Sequence, residues 1–426
     1  MQPSSGVRSF RSSRGRNATE EATGARRHKP DYWLITPCVV LFAVGLIVVY
    51  SISPALSESA HVGSNYYVFK QLIAIALSMV AFAVTSRVPL SWWRHAYKPL
   101  LVVAGIATLI ALVMPVNPSY PAHRWVRIGA LSFQSVELLK FAILIWLASF
   151  LTDRMSRGLV ADYKQTFKPI AIAFVAIAFV VAFIQSDLGS TGVILAMAGV
   201  MVTVAGLPLR KVLAIGGLVA IIALVAVAAT PYRRERLATY FNPEANCQTS
   251  GYQACQAMIA VGSGGMFGLG LGKGVQAYGY LPEAANDSIF AIYAEKFGFI
   301  GTIVLLGIFV TLFSRIKSIA ERAADNFHLL VATGVFAWLS VQTLINVGAM
   351  IGVLPMKGIT LPFISYGGTS VVFVAAAIGL VFQISHYTSF VGRSKATNRS
   401  TASDHRTDGR RIRGAYHPDF SSRTRT

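Results

Sequence analysis

The chain has 426 residues, of which 54% are hydrophobic and only 13% charged, with a mean hydropathy of +0.56. A soluble domain carries roughly a quarter charged residues, so this composition excludes an ordinary water-solvated globule. The net charge of +20 raises the question of nucleic acid, but much of it lies in two polar tails rather than on one face of a domain, which argues against that class.

Residues 1–31 hold Arg8, Arg11, Arg14, Arg16, Arg26, Arg27 and Lys29 among Ser, Thr and Gly. This stretch reads as a disordered basic cytoplasmic arm, an orientation signal and solvated tail rather than a dedicated surface for anionic headgroups. No cleavable signal peptide is expected, because the first apolar block starts only near Trp33. Ten blocks are then long enough, or nearly so, to span roughly 30 Å of hydrocarbon: Trp33–Ser53, Val68–Thr85, Pro99–Val116, Val136–Leu151, Pro169–Ile184, Ser190–Gly206, Val212–Thr230, Ile289–Phe313, Leu329–Ile351 and Ser370–Tyr387. The pair flanking Gln185–Gly189 reads either as two spans or as one broken helix. Residues 388–426 form a second basic tail with the run Arg410, Arg411, Arg413. The expected fold is an all-α polytopic membrane protein of about ten transmembrane helices, spanning 32–387 between the two tails.

Orientation follows from Lys and Arg placement. With the N-terminus inside, the cytoplasmic segments contain Arg87, Arg94, Lys98, Arg154, Arg157, Lys164, Lys168, Arg210, Lys211, Arg315, Lys317 and Arg322, whereas the first outer loop, Pro54–Tyr67, has neither Lys nor Arg. Both termini are then cytoplasmic, and a large extracytoplasmic loop joins the seventh and eighth spans. The exceptions are Arg124 and Arg127 in the second outer loop and Arg233, Arg234, Arg236 and Lys273 in the large one. Either an anionic ligand sits on that face, or long loops translocate regardless of charge.

Ionisable residues inside a membrane are costly and commonly functional. Glu137 and Lys140 are spaced to meet on one face of the fourth span, as a site or as a buried ion pair. Asp187, in Gln185-Ser-Asp-Leu-Gly189, sits where a discontinuous helix lines a cavity. Glu295 and Lys296 lie in the eighth span. Lys70 begins the second, where a snorkelling lysine is the simpler account. Cys38 reads as packing, while Cys247 and Cys255 share the large loop and can pair if it faces an oxidising compartment. The glycine run Val261–Gly274 is not a phosphate loop, because no Gly-Lys-Ser/Thr follows at the required spacing. Asp287 ends the large loop at the mouth of the eighth helix, where the helix dipole favours a carboxylate and where simple capping also explains it.

Four stretches together resemble the SEDS family of cell-wall polymerases (shape, elongation, division and sporulation). They are His123-Arg-Trp-Val-Arg-Ile-Gly129 with Gln134-Ser-Val-Glu137 and Lys140; Gln185-Ser-Asp-Leu-Gly-Ser190; Tyr232 to Gly298; and Asn346-Val-Gly with Leu354-Pro and Gly358-Ile-Thr-Leu-Pro-Phe-Ile-Ser-Tyr-Gly-Gly-Thr-Ser370. The resemblance covers roughly Trp33 to Tyr387, and it is stronger to the division branch than to the elongation branch. It implies polymerisation of lipid II, the undecaprenyl-pyrophosphate-linked disaccharide pentapeptide, outside the cytoplasmic membrane. It also implies that Asp287 is catalytic and that Glu137 and Lys140 are functional. Partners implied are a class B penicillin-binding protein and other division proteins, at the septum of a bacterial inner membrane. Departures exist: Ser135 and Ser186 stand where prolines are expected, and Glu295-Lys296 replaces a Glu-Glu pair.

On this reading Asp287 is the general base for an acceptor hydroxyl, a contribution of roughly 10²–10⁴ in rate. Arg124, Arg127, Arg233, Arg236 and Lys140 would stabilise the pyrophosphate leaving group, with Asp187 and Glu295 among the substrate contacts. A divalent cation, magnesium or manganese, would assist, and no organic cofactor is expected. Two other classes stand beside it: a lipid-linked sugar flippase, because transporters also use broken helices and buried charge, and a non-catalytic division scaffold.

Overall fold

The computed structural model describes residues 29–114, 125–128, 131–229, 240, 247–249 and 251–387. Residues 1–28 and 388–426 of the two basic tails, Arg124, Arg233, Arg234 and Arg236 lie outside the described residues. Each of the ten apolar blocks is helical over most of its described residues. They are α1 (Ile35–Ser59), α2 (Tyr66–Arg87), α3 (Leu90–Val113), α4 (Ser135–Ser156), α5 (Lys168–Ala178), α6 (Leu188–Val204), α7 (Leu209–Ala229), α9 (Ile289–Glu321), α10 (Asn326–Met350) and α11 (Gly368–Ser385), with a further short helix, α8 (Tyr252–Ser263), in the large loop. Helix α5 is flanked by π-helical turns, which extend its span over Tyr163–Ile184. Among the described residues eight spans are long and apolar enough to cross a membrane, and α6 is a shorter apolar helix. A two-stranded hairpin that the all-α expectation lacked, β1 (Trp125–Ile128) and β2 (Leu131–Gln134), leads straight into α4.

Burial sorts the helices into layers. The apolar stretches of α4 and α11 are 78% buried and that of α10 is 61% buried, against 17% for α3. The first three are therefore the centre of the bundle, while α3 turns most of its side chains outward to the lipid that its composition demands. Helices α2 and α11 approach closely where Ala74 faces Gly368 and Thr85 faces Gly379, the small-residue packing that association in lipid favours. The two ends of the bundle differ. At one, the Asp31 amide donates to Ser385 Oγ at the foot of α11, and Arg315 lies over Trp33. At the other sit Asp287, the hairpin and the 352–367 segment. Arg315 and the candidate catalytic residue thus occupy opposite ends.

The chain leaves helical geometry at Gln185–Asp187, where Ser186 has φ +56°. The proline that the family resemblance led us to expect there cannot adopt that angle, since its ring holds φ near −65°. Asp187 then caps α6, with one carboxylate oxygen accepting from the Ser190 amide and the other from Ser190 Oγ.

A second break explains the glycine run. Helix α9 is interrupted at Gly298, φ +65°. The freed backbone groups must find partners in a water-poor setting, and the run supplies them. Phe299 N–H donates to Gly265 O and Ile300 N–H to Met266 O, while Leu269 N–H and Gly270 N–H donate to Glu295 O and Lys296 O. A Cβ on Gly268 would collide with Lys296 O, and one on Gly298 with the Gly268 amide. Cys247 and Cys255, left open above, are bonded, with their Cα atoms 5.6 Å apart, and so tie the loop to α8.

Gly268→Ala and Gly298→Ala should each cost at least about 1–2 kcal/mol from the left-handed backbone alone. Gly272→Ala, with open space around its Cα, should be near neutral. Thermal unfolding of the detergent-purified protein checks this: equal midpoints for all three variants would refute the loop-through-break packing.

Candidate active site

Asp287 is half-buried and immediately precedes Ser288, which caps α9. Its backbone is held by the neighbouring helix α10 and the segment that follows it. Asn346 Nδ2, on α10, donates to Asp287 O (2.8 Å) and to Ile359 O (2.7 Å). Ser365 Oγ donates to Asn286 O (2.7 Å), and Tyr366 N–H donates to Ala285 O (2.8 Å). Behind it, Ser288 Oγ donates to Pro282 O and accepts from Gln253 Nε2 of α8. Three consecutive carbonyls, of residues 285, 286 and 287, are thus fastened to the 346–366 segment, so the carboxylate of Asp287 is presented from a rigid turn.

Glu137 and Lys140 form the pair that their spacing suggested, Nζ to Oε1 at 2.8 Å, with side chains 4% and 2% exposed. Burial on this scale needs more than one partner to offset desolvation. Lys140 Nζ also donates to Gln342 Oε1 (3.0 Å) and lies 5.2 Å from the Trp338 ring centroid. Trp338 Nε1 donates to the same Gln342 oxygen, and Gln342 Nε2 donates to Thr360 O (3.0 Å). Thr360 Oγ1 is hydrogen-bonded to Ser370 Oγ, and Ser365 Oγ accepts from Leu361 N–H. The pair does not touch Asp287 directly. It reaches the Asp287 turn through Gln342 and the 360–365 segment. Glu137 Oε2 is buried and has no protein partner.

The remaining expected residues fall in different places. Asp187 is a buried helix cap closed on Ser190. Glu295 is 1% exposed, and its Oε1 accepts from the amides of Val275 (2.8 Å) and Gln276 (3.2 Å). Beside it, Lys296 Nζ donates to Leu271 O, so both members of the Glu295-Lys296 pair hold the glycine run. Arg127 is exposed on β1, opposite Ser132. Lys70 stacks over Tyr66, 4.5 Å from its centroid. Sequence reasoning missed Gln342 and Trp338. Their signal was present as a stripe at i, i+4 and i+8 in α10, Trp338, Gln342 and Asn346, polar groups aligned on one face of an otherwise apolar helix.

A polytopic helical membrane protein with a rigid acidic turn at one end, wired to a buried ion pair, is the class that this fold and site define. The model of the FtsW/RodA/SpoVE family, described as a cell cycle protein, matches residues 32–390, and the chain belongs to that family. The probable peptidoglycan glycosyltransferase FtsW of Coxiella burnetii is 37% identical over 363 residues, covering 84% of this chain and 96% of that one. Stage V sporulation protein E of Bacillus subtilis is 34% identical over 368 residues, covering 86% and 99%. A solved chain from "Structural coordination of polymerization and crosslinking by a peptidoglycan synthase complex" is similar with a TM-score of 0.67 and 25% identity, covering 84% of this chain and 97% of that one. The rod shape determining protein RodA of Thermus thermophilus shares the fold with a TM-score of 0.61, covering 84% and 96% at 24% identity.

Removing one member of a buried pair strands the other, typically at 3–5 kcal/mol, whereas removing both is far milder. Glu137→Leu and Lys140→Leu should each lower the thermal midpoint sharply, and the double variant should recover much of the loss. Additive losses in that cycle would show that the two charges are independent.

Proposed function

We propose that the chain is a peptidoglycan glycosyltransferase that polymerises lipid II during septal wall synthesis. The observation that carries the reading is the Asp287 turn: a carboxylate at a helix mouth whose backbone is fixed at three consecutive residues by another part of the bundle, in a chain whose similarity to proteins named peptidoglycan glycosyltransferase extends over most of its length. Charge bias orients this end to the outer face of a bacterial inner membrane.

The hydroxyl of the acceptor sugar attacks the anomeric carbon of the donor. Asp287 takes the hydroxyl proton as the new C–O bond forms. The old C–O bond to phosphate breaks with its electron pair leaving on undecaprenyl pyrophosphate. That charge needs fixed cations in a preorganised site. Arg127 is exposed on the hairpin that enters α4, and Arg124, Arg233 and Arg236 are assigned the same task. Lys140, held by Glu137 and Gln342, acts on the site from within the bundle. Among the described residues no three metal-ligating side chains gather. Magnesium or manganese would accompany the pyrophosphate and neutralise its charge, with Glu283 as a protein carboxylate that would hold it. The partner is a class B penicillin-binding protein, which supplies crosslinking.

Asp287→Asn should abolish glycan production from purified lipid II, assayed with a cognate penicillin-binding protein, while the thermal midpoint stays near wild type. Near-normal polymerisation by the variant would overturn the assignment. Lipid translocation without glycan product from the wild type would favour the flippase.

A further inference from the structure

Next to the Asp287 turn stands a group of aromatic rings that the chemistry above does not use. Tyr66 and Tyr67, at the start of α2, meet edge to face with ring centroids 5.4 Å apart, and Tyr67 meets Tyr366 at 5.3 Å. Tyr366 is the residue whose amide holds Ala285, two positions before Asp287. Glu283, exposed and with φ +53°, lies close enough to Tyr67 to act on it electrostatically, and accepts from Asn286 Nδ2. Lys70 lies over the outer face of this group. One turn inward from Tyr67 is Gln71, 1% exposed, with neither its amide oxygen nor its nitrogen partnered. It shares the helix face of Tyr67 and Ala74, and Ala74 faces Gly368, so the orphan amide lies on the side of α2 turned toward Tyr366.

Tyrosines at a membrane boundary ordinarily form an interfacial belt, each ring separately in the headgroups. These rings pack on one another instead, and the backbone of one of them, Tyr366, holds the Asp287 turn. Flat aromatic faces with polar groups at their rim match a pyranose, which offers an apolar C–H face and a fringe of hydroxyls. Burial, together with the neighbouring Tyr66 and Tyr67, pushes the Tyr366 phenol up to about 12, so it remains a neutral hydrogen-bond donor at any working pH.

We propose that Tyr66, Tyr67 and Tyr366, with Gln71 at their inner end and Glu283 at their rim, form a saccharide subsite that stacks a pyranose ring of the glycan beside Asp287. This inference rests on the polymerase reading and adds where one sugar is held. The ring could belong to the growing strand or to the lipid-linked donor, and two probes separate these sources. One is a soluble tetrasaccharide of alternating N-acetylglucosamine and N-acetylmuramic acid, and the other is lipid II in detergent. Binding of each is measured to the full chain in an Asp287→Asn background, where no turnover intervenes. Failure of the wild type to polymerise would therefore leave this readout intact.

Tyr66→Ala and Tyr67→Ala should each weaken binding of one probe about fivefold to tenfold, while Tyr66→Phe and Tyr67→Phe, which keep the rings, stay within about twofold. Loss confined to the tetrasaccharide assigns the subsite to the strand, and loss confined to lipid II assigns it to the donor sugar. Unchanged binding of both probes by the alanine variants overturns the proposal, as does equal weakening by alanine and phenylalanine variants. A thermal midpoint matching the parent shows that the variants are folded.

Discussion

A backbone amide or carbonyl inside a bilayer has no water to fall back on, and this constraint governs every unusual feature of the chain. Straight helices meet it internally. The protein nonetheless breaks its backbone in three places near one end: at Gln185–Asp187, at Gly298, and along 352–367. Each break survives because another part of the chain donates or accepts in its stead. The glycine run fills the gap in α9. Asn346 and Gln342 reach from α10 to Ile359, Thr360 and Asp287. Gln185 Nε2 donates to Ser135 Oγ. Of these irregular segments, 352–367 is the one fastened to the Asp287 turn, the candidate active site.

The stitching fixes what can move. The Asp287 backbone is anchored by side chains that are themselves fully buried, Asn346 at 1% and Ser365 at 0% exposure. A carboxylate that must meet a hydroxyl within hydrogen-bond reach gains from such prior placement, because no ordering cost remains to be met when substrate arrives. The buried ion pair belongs to the same frame. Gln342 offers one oxygen to Lys140 and Trp338 and its nitrogen to Thr360, so a charge at the centre of the bundle is linked through one amide to the 359–366 segment that also holds the turn of Asp287. A disturbance of either would reach the other through that residue.

The helices were legible in the sequence because a lipid solvent writes them in long apolar runs, and all ten blocks are helical to within a turn or two, except where α3 begins earlier and α9 ends later than expected. Glu137 and Lys140 were legible for a related reason, since charge in an apolar run has few explanations. Asp187 was legible as an anomaly but not as a helix cap, because its partner Ser190 is three residues on and the same spacing suits a cavity. The β1–β2 hairpin was illegible: four-residue strands leave too short an alternation to stand out beside the apolar blocks. Gln342 was hidden because a lone glutamine draws no notice until Lys140 is seen opposite it, a contact between residues 202 positions apart.

The Glu295-Lys296 pair shows how a departure from the family pattern can keep the same architecture. A second glutamate at position 296 would bring two carboxylates to one turn of α9. Lysine instead carries an ammonium that donates to Leu271 O, while Glu295 accepts from the amides of Val275 and Gln276. The two side chains therefore read opposite polarities of the same loop backbone, one its carbonyl and the other its N–H groups. A loop held from both polarities is fixed in register as well as in place, since a one-residue slip would set each charge against the wrong group. The glycines let that loop pass close enough to be held, and the loop in turn closes the gap at Gly298 that a rigid α9, with Asp287 at its mouth, could not otherwise sustain.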